Sequence, residues 1–273
     1  MKTILAATDF SPAAVNAVNY AAGMAQQLQA ELVLLHVYQL PVVYTEMPAA
    51  PMEIADFGED AERKLRAVKD ELIHATNSQL NITTVTKLGM FYPALEEACE
   101  EVQPYLVIMG SQGTTAAERF LFGGHTVHAM KNLNWPLISV PPNAAFGQIK
   151  KAGLACDFID VEDTVPVAKI SKFLSDFGAE LHVLNTGRKE QFDPELVFES
   201  GILRGLWHNP KHVYHYITAE DTDQGVIDYA GEKEIDLLIV IPKEHSLLEK
   251  IFFKSHTKQM VLHSPIPVMA LHY

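Results

Sequence analysis

The chain has 273 residues, enough for one large or two ordinary domains, and with 48% apolar and 20% charged residues it can bury a substantial core. Its formal charge of −13 is shared: 15 acidic against 8 basic residues stand in 1–149, and 19 against 13 beyond. Neither part carries the basic footprint of a nucleic-acid or anionic-membrane binder. Cys99 and Cys156 are the only cysteines and no apolar run is long enough to span a bilayer, which fits a reducing, cytoplasmic setting.

In chain order, Lys2 to Ala7 is an apolar run that predicts a buried parallel strand rather than a signal peptide. Ser11 and Pro12 supply the N-cap and first residue of a helix whose apolar face runs through Val15, Val18, Ala22, Ala25 and Leu28. Glu31 to Val37 predicts a second strand, completing a βαβ opening. From Leu40 to Glu59 the proline-rich composition predicts an irregular lid or partner-facing loop. An amphipathic helix from about Asp60 to Ser78 follows, then strand three from Asn81 to Leu88, closed by Gly89. Pro93 is read as the start of a third helix, and Leu106 to Met109 as a fourth strand. A fourth helix then leads to a fifth strand at Leu137 to Val140.

Pro141 to Gly147 is a composition break, after which the pattern restarts. LACDF at 154–158 echoes LAATDF at 5–10, so Asp157 falls where Asp9 fell. AELHVL at 179–184 echoes AELVLL at 30–35, and DLLIVI at 236–241 echoes YLVIMG at 105–110. The expected architecture is two tandem α/β domains, 1–143 and 149–273, each an open, mostly parallel five-stranded sheet with helices on both faces.

The stretch with most chemical content is Tyr105 to Thr126. A strand ends at Gly110, Gly113 follows, and nine residues separate it from Gly123-Gly124-His125-Thr126. Glycines permit positive φ and close backbone approach, and successive N–H groups near a helix start attract an anion, so the pattern predicts a phosphate-binding corner. The same spacing also fits a tight strand-to-helix turn with a helix-ending glycine pair.

With Asp9 after strand one, His36-Val37 ending strand two and Gly110-x2-Gly113-x9-Gly123 after strand four, the chain resembles the universal stress protein (UspA-like) family in its tandem form. The resemblance implies a Rossmann-like, adenine nucleotide alpha hydrolase-like fold with ATP or another adenine nucleotide at the carboxyl ends of the strands, together with magnesium or manganese. Carried over by position, it implies that Asp9 contacts the adenine, that Ala7 and Thr8 line its pocket, and that Val37 meets the base through its backbone. Met109 and Gly110 are expected beside the ribose and phosphates, with Gly113, Gly123, Gly124, His125 and Thr126 wrapping the phosphate chain. Gly124 departs from the family pattern, which has Ser or Thr there, and the missing hydroxyl costs about 1 kcal/mol of net hydrogen bonding. His125 stands where an apolar residue is usual.

In the second copy Ile241, Glu244 and Lys254 replace the three glycines, although Ser255 and Thr257 persist. Side-chain bulk and an anion there predict a nucleotide-free domain, with Asp157 acting as a strand-end cap. His208, His212 and His215 do not form a metal set on this reading, because a strand over 211–217 points His212 and His215 to opposite faces. Glu96, Glu97, Glu100 and Glu101 read as a solvated helix face.

No P-loop, dinucleotide fingerprint or nucleophile elbow is present, so no catalytic residue is named and any ATP hydrolysis is expected to be slow. The resulting expectation is a cytoplasmic stress-response protein whose first domain binds an adenine nucleotide and which acts through contacts with a regulatory protein partner. The family's habit of pairing through the last strand implies an intramolecular pseudo-dimer, Leu137–Val140 against Val268–Leu271, with a homodimer also open. Two alternatives stay open: a nucleotide-free interaction scaffold, or a second domain that takes an apolar small molecule near Phe252, Phe253 and Met260.

Overall fold

The computed structural model describes residues 1–40, 54–77, 79–111, 116–185, 194–207, 211–219, 221–242, 260–261 and 263–273. Ten strands form one sheet in the order β3-β2-β1-β4-β5-β10-β9-β6-β7-β8. The first half supplies β1 (Thr3–Ala7), β2 (Glu31–Tyr38), β3 (Ile82–Leu88), β4 (Leu106–Gly110) and β5 (Leu137–Val140). The second supplies β6 (Lys151–Ala155), β7 (Glu180–Asn185), β8 (His212–Tyr216), β9 (Leu237–Val240) and β10 (Val268–Ala270). Every pairing is parallel except the seam, where Val268, Met269 and Ala270 of β10 run antiparallel to Ser139, Ile138 and Leu137 of β5. The two five-stranded halves are therefore fused into a single sheet rather than standing as separate ones.

Helices cover both faces, and strand alternation sorts the core accordingly. Ile4 and Ala6 of β1 face one cluster with Val18 and Met24 of α1 (Pro12–Leu28), Leu65 and Leu72 of α2 (Ile54–Ala75), and Leu174 of α6 (Val167–Phe177). Leu5 and Ala7 face the other, with Leu95 and Cys99 of α3 (Phe91–Val102), Met130 of α4 (Ala116–Asn132) and Val226 of α8 (Thr222–Glu232). Burial of the Cys99 thiol pushes its pKa up to about 12, which marks it as core packing rather than a reactive group. Two further helices, α5 (Val161–Thr164) and α7 (Pro194–Leu206), complete the second half.

The halves are also tied together away from the seam. Asn16 of α1 donates to the carbonyls of Pro141 and Ala144 at 3.0 and 2.9 Å, fastening the linker across the helix. Phe146 then meets Tyr20 edge-on, and a Cβ at Gly23 would lie 2.7 Å from the Phe146 ring, so only glycine lets the linker settle there. At the amino ends of β1 and β4, Asp176 of α6 takes a 2.6 Å ion pair from Lys2 and a 2.7 Å hydrogen bond from the Tyr105 hydroxyl. Among the described residues no helix is long and apolar enough to cross a membrane.

Candidate functional site

The site begins with the turn that leaves β1. Ser11 caps α1 by accepting the Ala14 N–H, and Pro12 occupies the first helical position, where its missing N–H costs nothing. To reach that cap within four residues the chain puts Phe10 at φ 66°, and the Asp9 carboxylate accepts the Ser11 N–H at 2.9 Å to hold the turn. Thr8 is buried and locked: its N–H goes to the Leu35 carbonyl and its hydroxyl accepts the Phe10 N–H. Its carbonyl takes a 2.8 Å hydrogen bond from His36 Nδ1, which must carry the proton because a carbonyl only accepts. Burial lowers the His36 pKa, opposed by that bond and by nearby Asp9.

Beyond this turn a cavity of about 280 Å³ opens at the carboxyl ends of β1, β2 and β4. It lies where the strand order reverses, between β1 and β4, which is where open α/β sheets bind ligands. Ala7, Thr8, Asp9 and Val37 line it from the β1 and β2 side, and Met109, Gly110, His125 and Thr126 from the β4 and α4 side. Five further lining residues were not singled out by sequence as ligand contacts. Ser11, Ala13 and Ala14 come from the start of α1, Gln39 from just past β2, and Phe91 from the start of α3.

The glycine corner differs from the expected phosphate wrap. Gly110 does not have a positive φ; among the described glycines only Gly89 and Gly178 do. Its lack of a side chain is required by packing instead, since a Cβ there would lie 2.9 Å from the Ala13 carbonyl oxygen and 3.1 Å from its carbon. Gly123 and Gly124 fall inside α4, which starts at Ala116, so their N–H groups lie in a helix interior rather than at a helix start. Gly124 faces open space, so packing does not explain it. Thr126 is buried and its hydroxyl donates to the Gly110 carbonyl at 2.8 Å, fastening α4 to the end of β4. His125 rests 5.1 Å from the Phe91 ring, and burial and the neighbouring His128 lower its pKa, with Asp9 opposing. Gly113 lies outside the described residues.

In the second half Asp157 accepts the Ile159 N–H at 3.2 Å, the strand-end turn expected of it. Ile241 packs against the cluster that contains Phe158, Val161 and Val165. Ile241's partners in the degenerate corner, Glu244, Lys254, Ser255 and Thr257, lie outside the described residues, as do Phe252, Phe253 and His208. Met260 is buried in the core. His212 and His215 project to opposite faces of β8: His212 sits edge-on to Tyr214, whereas His215 bonds His182 at 3.0 Å and Tyr229 at 2.7 Å. Among the described residues no group of three or more His, Cys, Asp or Glu could hold a metal ion. The acidic face of α3 is solvated and bridged by Lys87, 3.1 Å from Glu97 and 2.8 Å from Glu101.

A doubly wound sheet with a ligand-sized crevice at its switch point defines a Rossmann-like α/β protein. The comparisons narrow the class: the family model for the universal stress protein family matches residues 1–141 and 202–272, and the chain belongs to that family. The chain is similar in fold to a universal stress protein from Archaeoglobus fulgidus, with TM-score 0.71 at 15% identity over 99% of this chain and 96% of that one. It is also similar to a putative universal stress protein from Pseudomonas aeruginosa, with TM-score 0.63 at 11% identity over 100% of this chain and 93% of that one. A universal stress protein in complex with cAMP is 24% identical over 44% of this chain and 84% of its own, with TM-score 0.33. No curated protein matches the chain.

Proposed function

We propose that this stress protein binds an adenine nucleotide in the crevice of its first half and acts, in the cytoplasm, as a sensor whose partner contacts change with occupancy. The observation that carries the reading is the cavity itself, at the switch point, with a carboxylate at one wall and the start of α1 at another. Asp9 uses one oxygen to hold the Ser11 N–H and keeps the other as an acceptor, which suits an exocyclic amino group. Asp9 is also the one carboxylate among the described lining residues, so a divalent cation would arrive held by the ligand's own phosphate oxygens.

Calorimetric titration of the full chain with adenine nucleotides tests the reading. Saturable heat that weakens on Asp9→Ala is the expected result, and no heat at millimolar nucleotide removes it. One observation favours a second reading, a nucleotide-free scaffold: α4 runs through Gly123 and Gly124, so those backbone donors are turned away from a ligand. Extraction of the purified protein followed by chromatography separates the two, since recovered nucleotide rejects the scaffold.

A further inference from the structure

The lining of the crevice is short of positive charge. No lysine or arginine stands among its described residues; Asp9 contributes a full negative charge and His125 is the one ionisable base. The flanking sequence does not compensate, since 41–53 and 112–123 contain Glu46, Glu53 and Glu118 against the single base Arg119. The whole chain carries −13, so its long-range field also opposes a polyanion.

The side-chain donors that line it are neutral. The Thr126 hydroxyl donates to Gly110 and Gly124 lies inside α4, while the hydroxyls of Thr8 and Ser11, which accept in the bonds above, and the Gln39 amide offer N–H or O–H groups without charge. What faces an anion is the start of α1, with a partial charge of roughly half an elementary unit. That suffices to balance part of one phosphoryl group. A triphosphate brings about four charges into a space that already contains the Asp9 carboxylate, and each added charge is repelled.

We propose that the crevice selects an adenine compound with at most one phosphoryl group, a nucleoside or nucleoside monophosphate, over ATP. The inference rests on the nucleotide reading above and narrows it. Asp9 then has two roles, accepting the amino group of the base and rejecting extra phosphate charge.

The test is calorimetric titration of the full chain at pH 7.5 and fixed ionic strength with adenosine, AMP and ATP, the last with and without magnesium. Adenosine or AMP should bind at least tenfold more tightly than ATP. Raising salt should shrink the gap, because screening weakens the repulsion. Asp9→Asn retains the oxygen that accepts the Ser11 N–H, so the turn survives while the charge goes; losing the second acceptor weakens all three ligands alike, whereas losing the charge favours ATP, so the ratio should fall several-fold. ATP binding as tightly as AMP, or a ratio unmoved by Asp9→Asn, overturns the inference and leaves nucleotide binding standing. Heat from none of the three, with a folded chain by circular dichroism, removes the nucleotide reading and the inference with it.

Discussion

The two halves share their framework bonds and differ where those bonds meet the crevice. After β1 the Thr8 N–H goes to Leu35, and after β6 the Cys156 N–H goes to Leu184. His36 donates to the Thr8 carbonyl in one half; Asn185 donates to the Cys156 carbonyl at 2.9 Å in the other. Phe10 and Phe158 both have positive φ, and Asp9 and Asp157 hold the same turn. Part of what Asp9 does is therefore structural, since Asp157 holds the same turn in the other half.

The divergence lies in the helix that follows. α1 runs unbroken from Pro12 to Leu28, whereas the equivalent stretch, 161–177, is split into α5 and α6 at Val165 and Pro166. Pro166 stands where α1 has Ala17, and a proline inside a helix removes a hydrogen bond and clashes with the preceding turn. In the first half the intact first turn presses the Ala13 carbonyl against Gly110; in the second, Ile241 stands at the corresponding position and packs against the core. Gly110 and an unbroken α1 thus belong together. A glycine in a ligand-binding pattern can answer to the scaffold first.

That pairing can be broken directly. Ala17→Pro imposes the second half's break on the first and should cost about 3 kcal/mol or more, read as a lower urea midpoint. Gly110→Ile copies the other half's residue beneath an intact α1 and should cost about 1–3 kcal/mol, because the new Cβ meets backbone that cannot swing away. A wild-type midpoint for Gly110→Ile would show that α1 moves freely and that the comparison is mistaken. Asp176→Ala tests how strongly the halves are coupled: losing the Lys2 pair and the Tyr105 hydrogen bond should cost about 1–2 kcal/mol.

Acid should have the smallest effect and should act on both halves. Burial lowers the pKa of His36 and His125 in one half and of His182 and His215 in the other, where proximity to His215 adds to the shift of His182. Folding therefore favours the neutral imidazoles. Their contribution is complete above the unfolded value of about 6.5 and is lost as pH falls through the folded values. The melting temperature should be flat from pH 8 to 7 and decline below 6.5, and His182→Gln should flatten part of that decline.

Much of the frame was legible because buried parallel strands are written as apolar runs: β1, β2, β4 and β5 fall where Ile4, Leu34, Ile108 and Ile138 predicted them. Ser11 and Pro12 marked the start of α1 for the same local reason. Two helix starts were not legible. α2 begins at Ile54, inside the stretch read as irregular, because Ala61 and Leu65 continue an apolar face that the nearby prolines had obscured. α3 begins at Phe91, with Pro93 in its first turn, where proline is as well tolerated as at the first position. Gln39 and Phe91 belong to no motif and reach the crevice only through the fold. The rule that ligands sit beyond strand ends was the signal that could have found Gln39.

The order of the strands in the sheet has a consequence for synthesis. β10 is the last of the ten in chain order, yet it lies in the middle of the sheet, between β5 and β9. Until it emerges, a nascent chain presents two bare edges, Leu137–Val140 and Leu237–Val240, both fully apolar but for Ser139. Such edges invite pairing with other chains. Three residues, Val268 to Ala270, then close both at once. The chain is at its most sticky just before β10 emerges.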